Sequence, residues 1–131
     1  MAWGKVKDQD FVGKEAHVGH RESEPAAKLC TLTVDDHTSA AGIPRFMLGR
    51  EPVTTRDGAP LVDAKGRRSF VTTAGMAPSV GKYVLMAYLP PEQAIEGGEL
   101  AVEYMNERYP VTVAVVGSRA IFDPDNERIR R

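Results

Sequence analysis

Cysteine is almost absent from this chain of 131 residues, and because Cys30 is the single one, an internal disulfide bond is excluded. Low cysteine use is typical of a reducing compartment, so we expect a cytoplasmic protein. No apolar run approaches the roughly 20 residues of a membrane-spanning helix, and the N-terminus lacks the apolar core of a signal peptide. The sequence therefore predicts no membrane partner.

An excess of charge is also missing, since 17 lysine and arginine residues nearly balance 18 aspartate and glutamate residues. The net charge of -1 gives no bulk electrostatic basis for binding nucleic acid. Hydrophobic residues make up 42% of the chain, which is enough for a core without disulfides or metal. The length suits one domain, and no nucleic-acid partner is expected.

Repeats and low-complexity segments are absent, and the chain shows short β-rich runs between glycine and proline turns. The central stretch lies between Gly66 and Pro91. Its residues 69–73 (SFVTT) favour a strand, because β-branched and aromatic residues fit a pleated surface. Residues 74–79 (AGMAPS) are predicted to form a loop. The run 83–89 has no polar face, which indicates a strand buried on both sides or a buried helix.

One helix and several further strands are predicted outside this stretch. Asp10 is a suitable N-cap for a helix that ends near His20. The alternation in 28–34 (KLCTLTV) predicts a strand, and 35–49 is predicted to be a long surface loop. Further predictions are short strands at 51–56 and 60–62, a turn at Asp57-Gly58, and an extended charged arm at 123–131.

Residues 99–105 and 108–116 predict a β-hairpin with Asn106-Glu107 as its turn, because asparagine tolerates the positive φ that such turns need. This register places Val102 opposite Val111. The apolar residues expected on one shared face are Leu100, Val102, Tyr104, Tyr109, Val111 and Val113. Together these elements predict a mainly all-β fold, a closed antiparallel barrel or a sandwich, with one helix leading in.

One pair of histidines supplies residue types found in metal sites. His17 and His20 would share one side of the predicted helix, but their spacing to Cys30 and to the Asp35-Asp36-His37 group matches no zinc pattern. Surface histidines are therefore expected, and no metal.

Three further features supply residue types that enzymes use. Cys30 lies in an apolar strand and is predicted to be an inert core thiol. The Asp35–Ser39 group lacks the strand-turn-helix elbow of hydrolases, and the loop Gly75–Ser79 lacks phosphate-loop spacing. We therefore predict no catalytic residue in this chain.

Three cations form the candidate binding site. Arg67 and Arg68 precede one central strand and Lys82 begins the next, so they could meet across the turn between the strands. Such a group can hold a ligand rich in carboxylates. Solvated strand ends are the alternative interpretation.

Several short motifs, in order, resemble the C-terminal barrel of the glycine-cleavage aminomethyltransferase (T protein) family. That family includes the folate-binding half of the dimethylglycine and sarcosine dehydrogenases. The motifs are Trp3 and Lys7 followed by DFVGKEA at 10–16 with His17 replacing a leucine, the strand 28–34, GREPV at 49–53, VTT at 71–73, Gly81-Lys82, Ala87-Tyr88, Pro90-Pro91 and RYPV at 108–111. The segment Phe122-Asp123-Pro124 with Arg128 resembles the ending of the dehydrogenase branch.

The resemblance implies a six-stranded antiparallel Greek-key barrel over residues 25–131, after a lead-in linker and helix over 1–24. In this family a larger N-terminal part binds most of the folate and holds the reacting aspartate, and nothing here matches that part. The chain thus resembles a detached C-terminal module, with no catalytic residue to carry over. Its hairpin from Thr54 to Ser69 is longer than expected in plain T proteins.

The implied function is an accessory barrel that covers the folate-binding half of a one-carbon enzyme. The intact enzyme would use tetrahydrofolate, whose glutamate tail Arg67, Arg68 and Lys82 could hold, while the chain alone would bind no cofactor. Trp3, Phe11 and Val12 are expected to face that half or a separate subunit. A homo-oligomer is also compatible with such a module. The alternative function is a stand-alone binding or assembly module without chemistry.

Overall fold

The computed structural model describes residues 9–117 and 119–128, which form one six-stranded antiparallel sheet preceded by one helix. The elements are α1 Lys14–Glu22, β1 Lys28–Val34, β2 Val53–Thr54, β3 Val71–Ala77, β4 Lys82–Leu89, β5 Glu99–Tyr104 and β6 Glu107–Val116. This confirms the expected mainly-β class with a single helix. Trp3 and Lys7 lie outside the described residues. In the described part of the chain, no helix has the length and apolar character needed to cross a membrane.

The strands follow the order β2-β5-β6-β1-β4-β3, so the connections from β1 to β2 and from β4 to β5 pass over other strands, as in a Greek key. The edge strands β2 and β3 meet at one end. There Val71 N–H donates to Glu51 O at 2.8 Å, and Val53 N–H donates to Ser69 O at 3.1 Å. We call this contact the seam. It closes the sheet along a few residues, and the rest of β3 extends past it.

The core lies inside the curved sheet, and buried residues alternate with outward residues along β4 and β6. In β4 the inward residues Tyr83, Leu85, Ala87 and Leu89 are buried, whereas Tyr88 is 53% exposed. The expectation of a strand buried on both sides was therefore wrong. An antiparallel sheet needs only one covered face, so its outer residues can stay apolar without being buried.

The hairpin of β5 and β6 turns at Met105-Asn106, with φ of 50° and 61°, one residue earlier than predicted. Val102 lies opposite Tyr109, not opposite Val111, so the predicted register was wrong by two residues. Both turn positions need positive φ, and Glu107 begins β6 instead of taking one. Because a shift of two preserves the face, all six predicted residues still point the same way, and all except half-buried Tyr104 are buried.

The small residues 74–77, predicted to be a loop, continue β3 and pair with β4 as far as Ala77 opposite Lys82. The turn comes later, at residues 78–81. A β-bulge lies between Val71 and Thr73. Such small residues have little strand preference of their own, and pairing with the apolar strand β4 holds them extended.

The helix begins four residues later than predicted. Gly13 has φ 86°, so it stops any helix from extending back to Asp10, and α1 runs on to Glu22. Asp10 Oδ1 instead accepts from Phe11 N–H at 3.1 Å. The strand predicted at 51–56 shrinks to β2, and 60–62 forms only isolated bridges.

Replacing Val111, which is fully buried at the centre of β6, tests the inward face. Val111→Asp should lower the free energy of unfolding by roughly 3 to 5 kcal/mol, because an unpaired carboxylate would enter the core. Urea denaturation measures the change. The matched control is Ala114→Asp on the outer face of the same strand, where about 1 kcal/mol or less is expected. Equal losses in both variants would contradict the assigned face.

Candidate functional site

A groove of about 490 Å³ lies between the linker after α1, the long hairpin 55–69 and the end of β4. His20, Ser23 and the linker residues 25–27 form one side. Lys65, Arg67 and Arg68 form the other side, so two of the three predicted cations line the groove.

The turn that carries these cations is organised by Asp63. Its Oδ1 accepts from the N–H groups of Lys65 and Arg67, both at 2.9 Å, and its Oδ2 lies 2.7 Å from Arg67 Nη2. Gly66 takes φ 76° and lets the chain reverse around the carboxylate. Hydrogen bonds from the Arg67 backbone and side chain lower the pKa of Asp63. Arg67 therefore has its charge matched by Asp63.

Lys65 and Arg68 are exposed, and neither forms an ion pair within the described residues. Two half-exposed rings, Phe70 at 50% and Tyr88 at 53%, also line the groove. Apolar rings beside uncompensated cations suit a ligand with a flat apolar part and an acidic group. The groove thus supplies groups that bind and orient, and it holds no paired nucleophile and base.

Lys82 is not part of this groove. It pairs with Ala77 at one end of the β3–β4 hairpin, whereas the pair of Val71 with Ala87 lies at the other end, three residues after Arg68. Six residues of strand separate these positions, which is roughly 20 Å at about 3.3 Å per residue. The structure therefore brings together Arg67 and Arg68 but separates Lys82 from them.

The other candidate residues have local structural contacts. The His17 ring contacts Phe11 at 6.4 Å between centroids. Over residues 9–117 and 119–128, no three metal-ligating side chains come together. Cys30 is buried in β1, and burial raises the pKa of its thiol to about 11, against a small lowering effect of Lys28.

The Asp35–Ser39 group does not form a catalytic arrangement. The Asp35 carboxylate accepts from the Thr112 hydroxyl at 2.9 Å, and Asp36 Oδ1 accepts from Thr38 N–H at 2.8 Å. The His37 ring packs on Phe46 with centroids 5.0 Å apart. These contacts fix the loop over one end of the barrel. Gly75 begins the segment 75–79, whose spacing differs from that of phosphate-binding loops, and it lies within β3.

Comparison with known proteins bears on the identity of this barrel. Residues 43–117 match the model of the glycine cleavage T-protein C-terminal barrel domain. The chain belongs to this family. An aminomethyltransferase from Prochlorococcus marinus (strain MIT 9303) is 34% identical over 103 residues, which cover 79% of this chain and 24% of that protein.

The fold of this T-protein barrel agrees with a solved structure. The crystal structure of glycine cleavage system aminomethyltransferase T from Bartonella henselae matches with a TM-score of 0.63 and 19% identity, over 80% of this chain and 25% of that one. The chain thus spans about a quarter of the length of both relatives.

The GREPV motif of the T-protein barrel has a structural role at the seam. The buried carboxylate of Glu51 accepts from Leu48 N–H at 2.6 Å and from Gly49 N–H at 2.9 Å. Gly49 takes φ 114°, which favours glycine. Arg50, which lies between Gly49 and Glu51, donates its N–H to Val71 O at 2.6 Å. The motif therefore shapes the loop that places β2 beside β3 at the seam.

The described part of the predicted extended arm 123–131 forms a compact turn that begins at Phe122-Asp123-Pro124, whereas residues 129–131 lie outside the described residues. Asp123 Oδ1 and Oδ2 accept from the N–H groups of Glu127 at 2.9 Å and Arg128 at 3.1 Å. The Arg128 guanidinium lies 5.1 Å from the centre of the Phe122 ring. A carboxylate that bonds to backbone N–H groups four and five residues ahead bends the chain back.

Sequence reasoning missed Asp63, Phe70 and Tyr88. An aspartate that precedes a glycine turn commonly accepts hydrogen bonds from the backbone that follows it. The contact between Asp63 and Arg67 could therefore have been predicted from the sequence. The two rings carry no comparable signal, because only the fold brings residues 70 and 88 to one groove.

The Cys30 thiol should resist modification in the folded protein. Since its pKa rises from 9.0 to about 11, the thiolate fraction at pH 8 falls about 100-fold, and burial restricts access further. A chromogenic thiol reagent should therefore react much more slowly with the native chain than with the chain in guanidinium. Equal rates would contradict the burial of this residue.

Replacing Asp63 tests the turn through pH. The folded pKa is lowered, so the carboxylate stabilises the fold above its ordinary pKa of 3.8, and this contribution is lost as pH falls through the folded pKa. Asp63→Asn should therefore lower the Tm at pH 7, and the difference from wild type should vanish at acidic pH. Lys65→Gln is the control with no such dependence. A Tm difference that persists unchanged in acid would refute the charge-based role.

Proposed function

We propose that this chain is the C-terminal accessory barrel of a folate-dependent aminomethyltransferase-type enzyme, and that it covers the folate-binding part of that enzyme. The family match and the aminomethyltransferase relative support the enzyme type. The chain corresponds to about a quarter of that relative. The remaining length of the relative offers the part that this barrel would cover.

The observation that carries the covering role is the unpacked helix. None of the nine residues of α1 is buried, and its N-cap is Gly13, which has no side chain to cap the helix. Just before it, Phe11 is 41% exposed and Val12 is fully exposed. Isolated helices shorter than about 12 to 15 residues are marginal in water. A partner surface that buries Phe11, Val12 and one side of α1 would stabilise the helix.

The basic groove supports a role toward the cofactor. The glutamate tail of tetrahydrofolate carries carboxylates, which Lys65 and Arg68 could bind as charge-assisted partners. Arg67 is proposed for the same tail. Asp63 holds its Nε and Nη2 atoms, so Arg67 would bind the tail through its remaining N–H groups. Lys82 is too far along the hairpin to join the same carboxylate. The residues at the groove fit an acidic, partly apolar group.

Within the family we place the chain nearest the folate-linked dimethylglycine and sarcosine dehydrogenases. The support is the Phe122-Asp123-Pro124 turn with Arg128 and the extended hairpin 54–69. We also place it in the cytoplasm, as its low cysteine use suggests. No observation favours the stand-alone module.

Calorimetry of the chain with and without a separately expressed folate-binding part of an aminomethyltransferase tests the covering role. A partner that binds the folded barrel should raise its free energy of unfolding, by about 2.7 kcal/mol at about 100 times the Kd. Val12→Asp should abolish the increase, because it places a charge in the apolar contact. Ile95→Asp is the control, since Ile95 is also exposed, at 60%, and lies in the β4–β5 connection.

A monomeric chain with no change in stability on mixing would refute the proposal. So would an equal loss of stabilisation in the Val12→Asp and Ile95→Asp variants, because the contact would then not involve the helix.

A further inference from the structure

A second groove, with a volume of about 280 Å³, lies at the seam, and its walls include Pro52, Arg68, Phe70 and Glu103. We call it the seam groove. Pro52 forms an antiparallel bridge with Phe70, and Glu103 N–H donates to Pro52 O at 3.0 Å, so these three residues form a row across neighbouring strands. The row points outward, because side chains alternate between faces and the adjacent residues are buried in the core: Val53, Val71 and Val102.

Two opposite charges line the seam groove. Arg68 is exposed and Glu103 is half-buried, and in the described part of the chain neither side chain has an ion-pair partner. Arg108 lies opposite Glu103 in the β5–β6 pair, but its Nη1 donates to Arg56 O at 3.3 Å. The groove therefore offers one positive and one negative group to the same ligand.

The other lining residues set the size and polarity of a ligand that fits. Pro52, Pro60 and the half-exposed Phe70 ring form apolar walls. Ser69 also lines the groove next to Arg68, and its hydroxyl can both donate and accept a hydrogen bond. Pockets for drug-sized ligands measure about 300 to 1,000 Å³, so the seam groove suits a smaller molecule.

We propose that the seam groove binds a free α-amino acid with a small apolar side chain. The ammonium group would pair with the Glu103 carboxylate, and the ligand carboxylate would accept from Arg68 and the Ser69 hydroxyl. The side chain would lie against Phe70 and the two prolines. A ligand that carries only one charge would leave either Arg68 or Glu103 unmatched, so both charges are required.

The seam groove and the basic groove share Arg68 but differ in their other charged residues. Glu103 lines the seam groove and not the basic groove, whereas Lys65 lines the basic groove and not the seam groove. A change at Glu103 therefore acts on the amino-acid site alone. Binding at this site is independent of the covering role, because α1 does not line the seam groove.

Titration with L-valine, followed by the NMR shifts of the Phe70 and Glu103 amides, tests the site. L-valine should cause saturable shifts at both amides. Isovalerate has the same carbon skeleton without the ammonium group, and isobutylamine lacks the carboxylate. Each should bind at least about tenfold more weakly than L-valine, because one charge-assisted contact is lost.

Two variants assign the charges of the ligand to the two protein groups. Glu103→Gln should weaken L-valine binding about tenfold and leave isovalerate binding unchanged, because isovalerate has no ammonium group to lose a partner. Arg68→Gln should likewise weaken L-valine binding and leave isobutylamine binding unchanged. Lys65→Gln is the matched control, a cation of the same hairpin outside the seam groove, and it should bind L-valine as the wild type does.

The site is refuted if L-valine causes no saturable shift, or if the three ligands bind with equal affinity. Equal losses in Glu103→Gln and Lys65→Gln would also refute it. Shifts confined to the amides of Lys65 and Tyr88, which line the basic groove, would assign the amino acid to that groove and overturn the assignment made here. Calorimetry with the folate-binding part can fail without changing any of these results.

Discussion

The buried carboxylate of Glu51 is the contact on which the closure of this barrel depends. A carboxylate removed from water is costly unless its oxygens are hydrogen-bonded. Here the N–H groups of Leu48 and Gly49 satisfy it, and the backbone oxygen of the same residue accepts from Val71 across the seam. The Tyr83 hydroxyl on β4 donates to Met47 O at 2.6 Å, which fixes the residue just before Leu48 and Gly49 to the sheet. One loop thereby joins the first half of the sheet to the second.

Local pattern predicted the elements that carry alternating side chains. Strand β1 has the predicted bounds, and the shared face of β5 and β6 survived a wrong turn because a shift of two residues keeps the face. Context decided the rest. Small residues such as Ala74 and Gly75 have no strand signature, and β4 alone holds them extended.

The predicted cation group failed for the same reason. If 74–79 had been a short loop, Lys82 would lie close to Arg68. Because β3 continues to Ala77, the two side chains lie at opposite ends of a hairpin. The position of Arg67, by contrast, follows from its own neighbourhood, since Asp63 holds it from four residues away. Site geometry within a turn can be predicted from sequence, whereas geometry across strands requires the register.

The seam also brackets the long hairpin. Its hydrogen bonds join Glu51 and Val53 on one side of the hairpin to Ser69 and Val71 on the other, so residues 55–68 leave the sheet and return at nearly the same place. A loop whose ends are fixed together can gain or lose residues at a small entropic cost, about 0.6 kcal/mol for each doubling of length. Related barrels can therefore vary residues 64–66, at the tip of the hairpin beside the basic groove, while Leu61 of the same hairpin keeps its place in the core.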